Sequence, residues 1–309
     1  MGLSVLVVVL PLIIGKGRLT PADDPSVAVK RTIEEFFDEV DHGHLRSFLD
    51  RRVTDGIVRR TMHKWLNAGV MESGNVSYPD SGTPQGGVIS PLLANVMLHE
   101  VLDQWFVTEV MPRLQGRAQL VRYADDFVVI CEQQVDAQRV LAVLPKRLGR
   151  FGLKLHPDKT RIVRFERPSE SRRGDMPRPE SFELLGFTHY WGQSRRGAPI
   201  VKRKTSRVRL NRAIKRVWEL CKRLRHAPLR VQQAMLARQL QGHYSYYGIT
   251  GNAACLGVFY FRVLAAWKNA LSRRGGRRLI GERFYLLLDH YRLPSPRVVH
   301  SIYRRPVSP

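Results

Sequence analysis

AQLVRYADDFVVICE, residues 118–132, reads as two short apolar strands around a tight turn at Ala124–Asp125–Asp126. The turn carries two adjacent carboxylates. Such carboxylates repel, and each raises the other's pKa unless a cation lies between them. A hard divalent ion such as Mg²⁺, which prefers oxygen ligands, resolves the repulsion. Phosphoryl transfer uses such ions, one at the attacking oxygen and one at the leaving oxygen. Taken alone the pair is weak evidence, because Asp is common in turns.

Working outward, GTPQGGVISPLLANVMLHEVLDQWF precedes this hairpin at residues 82–106. Ser90 is a good N-cap and Pro91 suits the first helical position, which predicts a helix burying Leu92, Leu93, Val96, Val101, Leu102 and Trp105. Farther upstream, VAVKRTIEEFF predicts a strand over 27–37, and Asp41 caps a helix through HLRSFLDRRV. DGIVRRTMHKWLNAG sets Ile57, Val58, Met62, Trp65 and Leu66 on one helix face and closes at Gly69. VMESGNVSYPDSG, after it, holds a short hairpin. Downstream come a helix over VDAQRVLAVLPKRLGRFG, a strand over LKLHPDKTRIVRF, a polar Pro-rich loop over RPSESRRGDMPRPES, and a strand over FELLGFTHYW. From about residue 205 the pattern is helical. Leu210, Ile214, Val217, Cys221 and Leu224 recur at alternating spacings of four and three, with Arg209, Arg212, Lys215, Arg216, Lys222, Arg223 and Arg225 on the other faces. QAMLARQLQGHYSYYGI and LGVFYFRVLAAWKNALSRR predict two further helices.

Charge divides the chain. Its 309 residues, enough for two domains, carry a net +24. Residues 195–309 hold 26 Lys and Arg against three acids, a net of +23, which leaves +1 for residues 1–194. A merely solvated surface would mix in more acids; this segment is suited to phosphates. Cys131, Cys221 and Cys255 have no metal-ligand spacing and cannot all pair, so they read as buried or incidental thiols in a reducing compartment. SVLVVVLPLII, residues 4–14, is too short to span a bilayer and lacks the basic lead and cleavage site of a signal peptide. It reads as a core strand or a stretch acquired at a rearranged gene start, and no membrane association is expected.

The ordered motifs resemble reverse transcriptases, specifically those encoded by group II introns. Tyr123-Ala124-Asp125-Asp126 is similar to their YADD turn, and Gly82 through Asn95 to their second palm motif. Leu153-Lys154-Leu155-His156 with Lys159-Thr160 resembles the next motif, and Phe182 through Phe187 the one after. GHYSYYG at 242–248 and LPSPR at 293–297 resemble the maturase region that binds intron RNA. The resemblance covers most of residues 32–300 and implies an α+β fold. A ferredoxin-like palm with an antiparallel sheet (32–194) would precede an all-helical basic thumb and maturase region (195–309), with 1–31 an atypical lead.

It also implies roles. Asp125 and Asp126 would hold catalytic Mg²⁺. Gln85, with Gly86, and Tyr123 would lie against the incoming deoxynucleotide. Phe37 would exclude a ribose 2′-hydroxyl, Lys159 would face the leaving pyrophosphate, and Gly186 would let the primer backbone pass. Arg209, Arg212, Lys215, Arg216, Lys222 and Arg223 would meet RNA. Read without the resemblance, Phe37 is a core side chain, Lys159 a solvated lysine and Gly186 a bulge. The implied partners are intron RNA, an RNA template with DNA primer, and deoxynucleotides, in a cytoplasmic ribonucleoprotein or at the nucleoid; the oligomeric state is left open.

Two departures qualify this. The first palm motif of the family reads Asp, five residues, then Asp; Phe36-Phe37-Asp38 keeps its second part, but Thr32 stands at the first Asp. A threonine hydroxyl is a poor substitute for a charged ligand; Glu34, two residues on along the same strand face, could replace it only through a shifted strand. The family also places a fingers region before this motif, and the 31 residues here do not resemble it. No zinc or His-rich endonuclease motif follows the tail. The reading is therefore an RNA-directed DNA polymerase and splicing cofactor by descent, with polymerisation crippled or absent. The alternatives are a non-catalytic RNA-binding maturase module and a non-functional gene remnant.

Overall fold

The computed structural model describes residues 27–34, 41–66, 70–72, 75–77, 90–156, 160–168, 179–274 and 281–301. The 4–14 segment, Gly69 and the polar loop's centre lie outside these residues. The chain divides into two compact units, Gly17–Leu184 and a second formed chiefly by Leu185–Pro309.

In the first unit the carboxylate hairpin forms as expected: β4 (Ala118–Tyr123) and β5 (Asp126–Cys131) pair antiparallel. β1 (Val27–Glu34) lies on the other side of β5, and its far edge takes β7 (Arg161–Arg164) along Val27–Lys30 and β6 (Lys154–Leu155) along Ile33–Glu34. LKLHPDKTRIVRF is thus two strands, because β1 is met at two separate registers. β2 (Val70–Glu72) and β3 (Asn75–Ser77) make the small hairpin read from the turn residues.

Helices α1 (His42–Arg52), α2 (Gly56–Leu66), α3 (Ser90–Leu98) and α4 (Gln134–Gly149) complete the unit. Asp41 caps α1 by accepting from the His44 N–H at 2.7 Å. Asp136, buried in the first turn of α4, accepts from the Gln115 and Gly116 N–H groups at 3.0 and 2.8 Å and pins the approach to β4. Of the apolar face read onto α2, Met62 packs on the core, whereas Ile57, Val58 and Trp65 are exposed.

The expected face after Pro91 needs correction. Leu92 is 60% exposed, Val96 is only partly buried, and Ala94, Met97, Leu98 and Phe106 join the core. Within α3 the buried pairs are 93/94 and 97/98, and Leu92 lies about 100° or more around the helix from each of them. Beyond α3 the chain winds as a π-helix over His99–Gln104 and again over Phe106–Val110, and its wider turn keeps 101/102 and 105/106 on the same side.

β8 (Phe182–Leu184) closes the first unit, its Phe182 ring edge-on to Phe165. FELLGFTHYW is therefore not one strand. Leu185 and Gly186 both have positive φ, 53° and 77°, and turn the chain before β9 (Phe187–Gln193). β9 pairs with β10 (Pro199–Thr205), a strand not expected from the sequence. Then follow α5 (Arg207–Arg223), α6 (Leu229–Tyr247), α7 (Ala253–Ser272) and α8 (Gly281–His290). They pack on a core of Val217, Leu236, Leu240, Tyr244, Leu256, Phe259, Val263 and Trp267. Polar groups inside this core are partnered: Trp267 Nε1 donates to Gln232 Oε1 at 2.9 Å, and Gln232 Nε2 donates to the Ala227 carbonyl at 2.9 Å.

Candidate active site and nucleic-acid interface

The turn between β4 and β5 presents Asp125 and Asp126, both half-buried. Ala124 has φ 52°, a conformation that a non-glycine residue adopts only where its surroundings impose it. Asp126 opens β5, paired across the hairpin with Tyr123. On its other side the backbone register sets Thr32 against Asp126. Paired positions of an antiparallel ladder share a sheet face, so positions 32 and 126 lie on the same face of the sheet. Glu34 is paired with Lys154 instead, on the other edge of β1.

One side chain at this turn was not singled out from sequence. Arg122, its side chain 12% exposed, donates from Nε and Nη2 to the two carboxylate oxygens of Asp103 at 2.8 and 2.6 Å. Its Nη1 donates to Asn95 Oδ1 at 2.8 Å and to the Ala124 carbonyl at 3.1 Å. The signal available in sequence was the charge itself, an arginine two residues before the turn's Ala124 in a largely apolar strand.

Phe37, Gln85, Gly86 and Lys159 lie outside the described residues. Among those described, no group of three or more His, Cys, Asp or Glu side chains is arranged to hold a metal ion.

In the second unit, Gly186 has its own structural reason. A Cβ there would stand 2.9 Å from the Tyr247 hydroxyl, at a φ of 77°. The Tyr246 hydroxyl donates to the Leu185 carbonyl at 3.0 Å, and its ring stacks on Phe187. The aromatics of GHYSYYG are thus packing residues. His243 stacks on Phe259, and burial holds its imidazole down at about 4. The two maturase-like segments meet: the Tyr244 hydroxyl donates to the Pro294 carbonyl at 3.3 Å, and the Val299 N–H to the Gly248 carbonyl at 2.7 Å.

On α5, Ser206 caps the helix by accepting from the Arg209 N–H at 3.4 Å. Val217, Leu220 and Cys221 are buried, and Leu210, Ile214 and Leu224 pack against the same core. That fixes the outer face: Arg209, Arg212, Lys215, Arg216, Lys222 and Arg223 are all exposed. Cys131 and Cys221 are buried, and burial pushes their thiols up to about 12 and about 11. No described helix is long and apolar enough to cross a membrane.

Comparison with known proteins follows the same lines. YkfC of Escherichia coli K12 is 32% identical over 43% of this chain and 42% of its own length. The group II intron-encoded protein LtrA of Lactococcus lactis is 40% identical over 24% of this chain, which is 12% of LtrA. The chain therefore matches less than half the length of either. Telomerase from Candida tropicalis superposes loosely, with a TM-score of 0.46 at 12% identity over 94% of this chain and 48% of that one. The reverse transcriptase (RNA-dependent DNA polymerase) family matches residues 18–189, opening fourteen residues before the first motif read from sequence. With more than half of its residues matched, and the two carboxylates on the hairpin turn within that span, the chain belongs to the reverse transcriptase family.

Proposed function

We propose that this protein is an RNA-binding member of the reverse transcriptase family, similar to group II intron maturases, in which nucleotide addition is crippled or lost. The observation that carries the reading is the register Thr32 opposite Asp126. The family uses divalent metal ions. Two neighbouring carboxylates on a turn are a suitable oxygen-donor set for Mg²⁺, and Asp125 and Asp126 are the residues that would hold it. When bound, such an ion supplies an activated attacking oxygen and countercharge for the leaving group. With a neutral residue at position 32, the site has one charged ligand fewer than the family's pattern, so affinity and ion placement both suffer.

The helical unit supports RNA binding independently of that defect. Six exposed basic side chains along α5 form a phosphate-seeking face, and their orientation is locked by the apolar stripe beneath them. The partner proposed is structured RNA of the intron type; template, primer and deoxynucleotide binding would be what remains of the polymerase.

The test is a filter-binding titration of the full chain on a structured intron RNA, beside primer extension on an RNA template with Mg²⁺ or Mn²⁺. Salt-sensitive RNA binding without extension supports the reading. Extension that disappears in Asp125→Ala overturns the loss of polymerisation, and absence of RNA binding overturns the maturase-like role.

A further inference from the structure

We propose that Arg122 is a positioning residue that holds the carboxylate turn in place, and that Asp103 and Asn95 fix it in that task. The inference rests on the reading that Asp125 and Asp126 bind metal.

A peptide unit is planar, so fixing the Ala124 carbonyl fixes the plane that continues into Asp125. The plane needs fixing because Ala124 sits at φ 52°, a strained value for alanine, and a glycine-like turn is otherwise free to relax. Arg122 Nη1 donates to that carbonyl at 3.1 Å. The guanidinium is itself immobilised: Asp103 meets two of its nitrogens in a fork, at 2.8 and 2.6 Å, and Asn95 accepts from Nη1 at 2.8 Å. Asn95 is oriented in turn, its Nδ2 donating to the Pro91 carbonyl at 2.9 Å. Asp103 also neutralises the arginine, so the cation beside the carboxylates does not compete with a bound metal ion.

The π-helix makes this grip possible. In an α-helix, positions 95 and 103 would fall about 80° out of line. The π segment over His99–Gln104, with its i→i+5 bonds, turns less per residue and closes much of that gap. Asn95 and Asp103 thereby face the same guanidinium. The end of the second palm motif is tied through one arginine to the metal-binding turn.

The experiment uses the full chain with two readouts: Mn²⁺ affinity by calorimetry, and amide hydrogen exchange at residues 124–126. Arg122→Lys keeps the charge and loses the fork; Asp103→Asn frees the arginine; Asn95→Ala, at an exposed side chain, removes one of the arginine's bonds and the Asn95 bond to Pro91, and is the gentlest change. Val140→Ala, in the buried core and outside the hydrogen bonds that hold Arg122, controls for general loss of stability. Arg122→Lys and Asp103→Asn are expected to weaken Mn²⁺ by about tenfold and to speed exchange at the turn, with Asn95→Ala intermediate. Val140→Ala should lower Tm without either effect. Unchanged exchange at the turn in folded Arg122→Lys and Asp103→Asn overturns the positioning role; if neither folds, Asn95→Ala decides by the same readout. Failure of the metal reading looks different. Asp126→Asn would then bind Mn²⁺ as the parent does, while exchange still responds to the clamp.

Discussion

Position 32 holds threonine opposite Asp126 in the sheet register, and the proposed ligand deficit there can be tested by repair. Thr32→Asp would put a third carboxylate opposite Asp126. Mn²⁺ affinity is expected to rise about tenfold, because affinity for hard cations follows ligand charge. Calorimetry on both forms checks it, and equal affinities would remove position 32 from the site. Two glycines carry opposite expectations. Gly186→Ala meets both a positive φ and the Tyr247 hydroxyl, and should cost about 1–3 kcal/mol. Gly242, inside α6 with open space around its Cβ position, should gain about 0.5–1 kcal/mol as alanine. Thermal unfolding of the two variants should move Tm in opposite directions. Residue by residue, Asp125 and Asp126 were legible because their turn is made by neighbours in sequence. The grip on Arg122 was not, because its partners lie 19 and 27 residues away on another element.

Among the elements, the helix after Pro91 shows what periodicity misses. The buried pairs Leu93/Ala94, Met97/Leu98, Val101/Leu102 and Trp105/Phe106 repeat strictly every four residues. An α-helical stripe drifts by about 40° at each step of four, which the π segments beyond α3 take up, while Leu92, inside α3, lies about 100° or more around the helix from the buried pairs and is outside. The unvarying step of four was the available sign of wider winding. β10 went unread for a different reason: PIVKRKT carries three basic residues, and its pairing with β9 is set by a turn at Ser194–Ala198 rather than by apolar alternation. α5, by contrast, was fully legible, since alternating spacings of four and three specify one stripe and leave the rest to water. Reversing Arg212, Lys215 and Arg216 to Glu leaves that buried stripe untouched, so the helix should persist by circular dichroism. RNA affinity should fall, and the slope of log affinity against log salt should flatten by about three, one for each phosphate no longer neutralised. An unchanged slope would take α5 out of the interface.

Across the whole molecule, the fold forms two compact units with separate cores, dividing at Leu184/Leu185 whereas the charge count divides at 194/195. Charge counting alone located the basic part, because +23 of the net +24 falls in residues 195–309. The helical unit also carries a pH liability. His243 is neutral when folded, held near 4 by burial, while in the unfolded chain it titrates near 6.5. The unfolded state therefore binds the extra proton first, and stability is full above about 6.5 and lost as pH falls toward 4. Between about pH 7 and 5 the loss comes to about 2 kcal/mol. His243→Phe, which preserves the stack on Phe259, should flatten the dependence of Tm over that interval. An identical pH profile in both forms would show that His243 is not the group responsible.

The proposed loss of catalysis, in a chain that keeps the carboxylate pair, implies failure at one specific reaction. Template-dependent primer extension by the purified full chain, with Mg²⁺ and separately with Mn²⁺, is the direct measurement. No extension is predicted with either ion. Extension on an RNA template that vanishes in Asp125→Ala would contradict the proposed loss, because two carboxylates and Thr32 would then suffice for the chemistry.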